Sequence, residues 1–182
     1  MDCIRHYDSP LGDITFSADG EALTGLWLEG QQYSADAPAG EGTKKNLPVF
    51  DQTRRWLDIY FSGKAPDFTP RLATRGTDFR EAVWQILLTI PFGRTMTYGA
   101  IAEIMARRRG LPRMSAQAVG GAVGRNPVSL IIPCHRVIGA GGNLTGYGGG
   151  IERKIRLLEL EGADTSGLFI PKNAQGAPHA EL

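Results

Sequence analysis

The spacing of hydrophobic positions changes along the chain, and each change marks a new kind of element. Over residues 3–30 the runs CIRHY, DITFSA and LTGLWLE are short, contain β-branched and aromatic residues, and are separated by the turn signals DSPLG and ADGEA. That pattern predicts a β-meander. The following stretch, QQYSADAPAGEGTKKN, is polar and reads as a surface loop or linker. Beyond it Phe50, Leu57 and Phe61 fall at helical spacing with Gly63 as a stop, which predicts a helix packed on the meander. KAPDFTPRLATRG is broken by prolines and makes the natural boundary of an N-terminal domain, residues 1–73.

Residues 74–163 read as mostly helical. Thr77 and Asp78 can cap a helix in which Phe79, Val83, Ile86, Leu87 and Ile90 recur at helical period until Pro91. TYGAIAEIMARRRG carries Ile101, Ile104 and Met105 on one face and stops at Gly110, and MSAQAVGGAVGRNP can form a second short helix before Pro127. Two short helices in close succession suit a helix-turn-helix, although an ordinary helical hairpin gives the same pattern. A last helix, IERKIRLLELEG, turns Ile151, Ile155 and Leu158 inward and carries Glu161 on its final turn. Residues 164–182 form a tail, and no internal repeat is visible.

The formal net charge of +1 conceals an asymmetry. Cut before Thr74, the first part holds 7 Lys+Arg against 11 Asp+Glu and the second 13 against 8. The basic half is the helical one, as a phosphate backbone would require, though a basic solvated face looks the same. The second short helix is dominated by Ala116, Ala118, Gly120, Gly121, Ala122 and Gly124, with Gln117 its one long polar side chain before Arg125. Such a helix can hardly read several base edges, but it can approach a nucleic-acid backbone closely, and small residues equally favour close packing against another helix. The only two cysteines, Cys3 and Cys134, lie far apart; no secretory signal opens the chain, and no apolar run nears the roughly 20 residues of a membrane span. A cytoplasmic protein without a membrane segment is the expectation.

The chemistry concentrates in NPVSLIIPCHRVIG. VSLIIP is a short apolar run that predicts a buried strand, ended by Pro133, with Cys134 emerging where the strand stops. A free thiol is only a few per cent ionised at neutral pH, so a neighbouring base is what makes it a nucleophile. His135 can serve, directly or through a water, given a carboxylate to fix its tautomer. A cysteine after an apolar run is also commonly an inert core residue, and a Cys-His pair suits a thiol peptidase or amidase equally well.

NPVSLIIPCHRVIG followed by LTGYGGGIERKIRLLELEG resembles the active-site region of the methylated-DNA-protein-cysteine methyltransferases, which repair alkylated guanine. The likeness covers about Thr77 to Gly162, and the meander resembles the family's small N-terminal domain more loosely. It implies an α+β protein: a β-meander and helix, then a mostly helical domain with a winged-helix-like helix-turn-helix. It also implies stoichiometric transfer of the alkyl group from the O6 of guanine in duplex DNA to Cys134, by a monomer that needs no cofactor. By the same resemblance His135 is the base, acting through a water, Glu161 its orienting carboxylate, and Asn126 the link between recognition helix and active-site turn. Tyr98 would hydrogen-bond the departing guanine, Tyr147 would wall the base pocket, and backbone groups near Val137 and Gly148 would hold the base edge. The target base must be flipped out of the stack. Where the family often carries an arginine that fills the gap, this chain has Gln117, shorter and uncharged, with Arg113 or Arg125 near enough to compensate. No metal is expected, because Cys3 and His6 are too few for the four ligands of a structural zinc. Two other classes remain: a damage-binding module without transfer, and a thiol hydrolase.

Overall fold

The structure is a computed structural model that describes residues 3–31 and 46–172. Most of the linker at 32–45, and the tail from residue 173, lie outside the described residues. The meander is present as β1 (Cys3–Ser9), β2 (Gly12–Ala18) and β3 (Leu23–Leu28), an antiparallel sheet in the order β1-β2-β3. Strand alternation puts Cys3 in the core and His6 on the exposed side, where its Nδ1 lies 3.1 Å from Thr15 Oγ1. Against the sheet lies α1 (Pro48–Phe61), begun by a proline at its first position and ended by Ser62 and by Gly63 at φ +80°. It buries Phe50, Trp56, Leu57 and Tyr60.

The helical domain opens with α2 (Asp78–Leu87), capped by the Thr77 side chain on the Arg80 N–H. The helical period was expected to run to Pro91, but the helix stops at Leu87. Leu88 to Ile90 continue as turns that keep Ile90 buried, with Thr89 Oγ1 donating to the Ile86 carbonyl. Then come β4 (Met96–Thr97), α3 (Tyr98–Arg108) and α4 (Ala116–Gly124); Thr97 and Ser115 cap the two helices. Trp84 Nε1 donates to the Ala122 carbonyl at 2.9 Å, fixing α4 on α2. A short β5 (Val137–Ile138) pairs parallel with β4, and α5 (Ile151–Leu160) closes the domain. Its most deeply buried positions are Lys154, Leu157 and Leu158; Ile151 and Ile155 are half-buried, in a small cluster with Ile138 and Leu144.

VSLIIP is not a strand. Only Val128 makes a bridge, to Leu26, and Ser129 to Ile132 fold as turns with Leu130 at φ +68°. The run is apolar because it is buried, and a short buried run cannot by itself distinguish strand from turn. What decides it is Asn126: its Nδ2 donates to the Ile132 carbonyl at 2.7 Å and its Oδ1 accepts from the Val128 N–H at 3.0 Å. The side chain thereby supplies the bonds that a neighbouring strand would have made.

The two domains share one continuous core, from Ile14, Phe16 and Tyr60 to Val83, Ile101 and Val137. The edge of the meander is covered as well: the Leu26 N–H donates to the Pro127 carbonyl and the Ser129 N–H to the Leu26 carbonyl, both at 2.9 Å. This sheet edge therefore holds the turn that leads into Cys134.

Candidate active site

Cys134 opens a 3-10 turn, Cys134–Arg136, which Pro133 introduces and β5 terminates. It is 7% exposed, and His135 is fully buried. Burial pushes the thiol's pKa up; the Asn126 side chain, the Lys154 charge and the backbone amides of Cys134 and His135 act against that. The resting sulfur is a thiol that must lose a proton to react. Burial also lowers the pKa of His135, over the opposing pull of Glu161, so the imidazole is neutral and has a nitrogen free to accept a proton.

His135 Nε2 lies 2.6 Å from Glu161 Oε1, and both side chains are buried. The same carboxylate accepts from Arg136 Nε at 2.8 Å and Nη2 at 3.0 Å, from the Gly93 N–H at 3.0 Å and from Tyr60 Oη at 2.7 Å. Burial alone would raise the pKa of Glu161, but the hydrogen bonds and charges of His135 and Arg136 overcome it and bring the value down to about 2. The carboxylate is thus a fixed anion, so Nε2 carries the proton it accepts. His135 Nδ1, which has no hydrogen-bond partner among the described residues, keeps the lone pair. Gly93 is required at its turn: φ is +74°, and a Cβ there would stand 2.7 Å from the Glu161 carbonyl oxygen.

Tyr98, at the start of α3, directs its hydroxyl at the carbonyls of Thr145 and Gly146, 3.3 Å from each. Burial and the nearby Cys134 raise its pKa to about 12. The Tyr147 hydroxyl is buried without a hydrogen-bond partner among the described residues, and its pKa too is raised by burial and by Cys134. Beside the sulfur is a cavity of about 10 Å³, bordered by Gln31, Asn126, Cys134, Gly146, Tyr147 and Gly148. That is about room for one water. A larger groove of about 460 Å³, between α3 and the start of α4, shares no lining residue with it.

Cys134, His135, Glu161, Asn126, Tyr98, Tyr147 and Gly148 are therefore assembled in one place. Val137 is fully buried behind them, and its carbonyl accepts from Lys154 Nζ. Gln117 and Arg125 stand exposed at the two ends of α4. Three residues that sequence reasoning missed take part: Tyr60, Arg136 and Lys154. Lys154 is buried, and burial depresses its pKa to about 8 against the pull of Cys134. Its signal was its phase, three residues after Ile151 and four before Leu158, where a solvated lysine does not belong. Tyr60 shares the inward stripe of Trp56 and Leu57 and looked like core alone.

Comparisons with known proteins bear on the family and the fold. The family model for the 6-O-methylguanine DNA methyltransferase DNA-binding domain matches residues 78–163, and that for the 6-O-methylguanine DNA methyltransferase ribonuclease-like domain matches residues 4–74. The methylated-DNA–protein-cysteine methyltransferase of Mycobacterium leprae is 46% identical over 157 residues, 86% of this chain and 90% of that protein. That of Haemophilus influenzae is 43% identical over 158 residues, 86% of this chain and 84% of that one. The crystal structure of the Mycobacterium tuberculosis O6-methylguanine methyltransferase superposes with a TM-score of 0.74 at 44% identity, covering 93% of this chain and 96% of that one. The M. tuberculosis OGT structure in complex with DNA gives 0.73 at 46% identity, covering 87% and 92%.

Proposed function

The chain belongs to the methylated-DNA–protein-cysteine methyltransferase family, and from that premise we propose how its own residues carry out the reaction. Its function is DNA repair by direct reversal, in which an alkyl group passes from DNA to a protein cysteine. The observation that carries the assignment of residues is the buried thiol of Cys134 beside a neutral His135 that Glu161 locks in the Nε2–H tautomer.

In the proposed step the Cys134 proton passes through a water to His135 Nδ1, and the thiolate attacks the alkyl carbon on guanine O6. A sulfur–carbon bond forms, the carbon–oxygen bond breaks, and its electron pair stays on guanine, which takes up one proton. Tyr98, whose own proton is firmly held, donates a hydrogen bond to the leaving base. No cofactor enters, because the thiol is the acceptor. A thioether is a poor leaving group, so each molecule reacts once. Lys154, near the sulfur, lends positive charge to the thiolate as it forms.

The substrate reading is an alkylated guanine flipped from duplex DNA. A cavity with room for one water cannot hold a purine, so Tyr147 and Gly148 must yield as the base enters. On α4, a Cβ at Gly121 or Gly124 would meet nothing within 4 Å, so packing inside the protein does not demand glycine there. Close approach of a nucleic-acid backbone does. Among the described residues no helix is long and apolar enough to cross a membrane. Cys3 and Cys134, both buried and not joined in a disulfide, favour a cytoplasmic setting.

Cys134→Ala tests the assignment. It should abolish transfer while duplex binding persists, since phosphate contacts do not use the thiol, whereas Cys3→Ser should retain transfer. Transfer by Cys134→Ala, or its complete loss in Cys3→Ser, contradicts the reading.

A further inference from the structure

Among the described residues, the groups that hydrogen-bond Glu161 are Tyr60, Gly93, His135 and Arg136, and Tyr60 alone comes from the N-terminal domain. Gly93 and Arg136 Nε bind Oε2 and set the plane of the carboxylate. Oε1 is the oxygen that meets the imidazole; Arg136 Nη2 donates to it at 3.0 Å and Tyr60 Oη at 2.7 Å, the tyrosine also standing 3.2 Å from His135 Nε2. The tyrosine is held from all sides: its ring stacks on Trp56 with centroids 5.1 Å apart and meets the rings of Phe61, Phe92 and His135 edge-on. Core packing alone asks for an aromatic ring at this position. It does not ask for a hydroxyl, and a fully buried hydroxyl must find a partner.

We propose that Tyr60 is a positioning residue for alkyl transfer. Its hydroxyl, reaching from α1 of the N-terminal domain, holds the Nε2–H of His135 on Glu161 Oε1 and limits how tightly that oxygen grips the imidazolium, so that Nδ1 exchanges the Cys134 proton readily. This role rests on His135 being the base. The groups facing His135 are Glu161, which favours its charged form, Arg136 and Lys154, which favour the neutral one, and the Tyr60 hydroxyl. A donor on Oε1 draws charge from the carboxylate and weakens its hold on a proton shared with the ring. Burial beside Glu161 keeps the phenol protonated, so it remains a donor throughout the working pH range.

Tyr60→Phe keeps the ring and removes only the donor. In single-turnover reactions with free O6-alkylguanine, which needs no flipping, the acid limb of the rate–pH profile should move to higher pH by about half a unit, a roughly threefold loss on that limb that narrows as the pH rises. In parallel, the 15N resonances of His135 should show the Nε2–H tautomer in the wild type and a matching rise in its titration midpoint in the variant. A uniform rate loss at every pH, an unmoved limb, or a shift to lower pH overturns the proposal. Should Tyr60→Phe not fold, the wild-type spectrum decides, since an Nδ1–H tautomer is incompatible with the role. An acid limb that persists in His135→Asn overturns the base assignment itself, and the role of Tyr60 with it.

Discussion

Glu161 takes hydrogen bonds from two domains and from the ring it orients, and its removal should be felt in stability as well as rate. Its folded pKa of about 2 lies below the ordinary carboxylate value of 4.5. It therefore contributes stability that is fully present above the unfolded value and disappears as pH falls toward 2. His135 adds to the same limb: burial lowers its pKa below 6.5, so the unfolded chain binds that proton first and stability falls as pH drops beneath the unfolded value. Glu161→Gln leaves Arg136 buried without its anion and should cost about 3–5 kcal/mol near neutral pH, with the difference from wild type shrinking toward pH 2. Urea midpoints across that range measure it; a cost that does not change with pH contradicts the ionised network. The Cys-His pair was legible from sequence because two scarce residue types stood together. Tyr60 and Lys154 were not, because helical periodicity reports that a position is buried and not what it touches there.

At the scale of elements, the turn after α4 depends on one side chain. Asn126→Ala would leave the Val128 N–H without its acceptor and strip one of two donors from the Ile132 carbonyl, which keeps the Cys134 N–H at 2.8 Å. With one buried donor left unsatisfied, the urea midpoint should fall by the equivalent of about 1–3 kcal/mol without a change in slope. A loss within 0.5 kcal/mol, the usual range for a surface change, excludes the role. This is also where sequence reading failed: the apolar run VSLIIP announced burial and was read as a strand, because nothing in the run shows that Asn126, which the resemblance made the link to the active-site turn, bends it. That α4 is a helix was legible from the Ala-rich run between Ser115 and Pro127; its small residues suit close approach to a nucleic acid and close packing on another helix alike. On α4, Gln117→Ala should slow repair of duplex DNA far more than repair of free alkylated base, because only the duplex needs the gap filled. Equal rates on both substrates, unchanged from wild type, would assign the filling to another side chain, with Arg125 the first to examine.

Over the whole molecule, the N-terminal part contributes more than a lid: through Leu26 of β3 it holds the Cys134 turn, through Gln31 it borders the cavity beside the sulfur, and through Tyr60 of α1 it reaches His135 and Glu161. The α+β division was legible from the change of hydrophobic period. The shared core was not, because contacts between elements far apart in sequence leave no periodic trace. With 13 basic against 8 acidic residues from Thr74 onward, duplex affinity should fall steeply with salt and depend little on undamaged sequence. A competition assay showing strong preference for one undamaged sequence would point instead to a regulatory helix-turn-helix protein. The most direct measurement is peptide-resolved mass spectrometry after incubation with duplex DNA containing O6-methylguanine. One methyl group on Cys134, in an amount equal to the lesions lost and never exceeding one per protein molecule, is the expected result. Lesions that disappear while Cys134 stays unmodified, or in excess over the protein, would contradict transfer to this thiol.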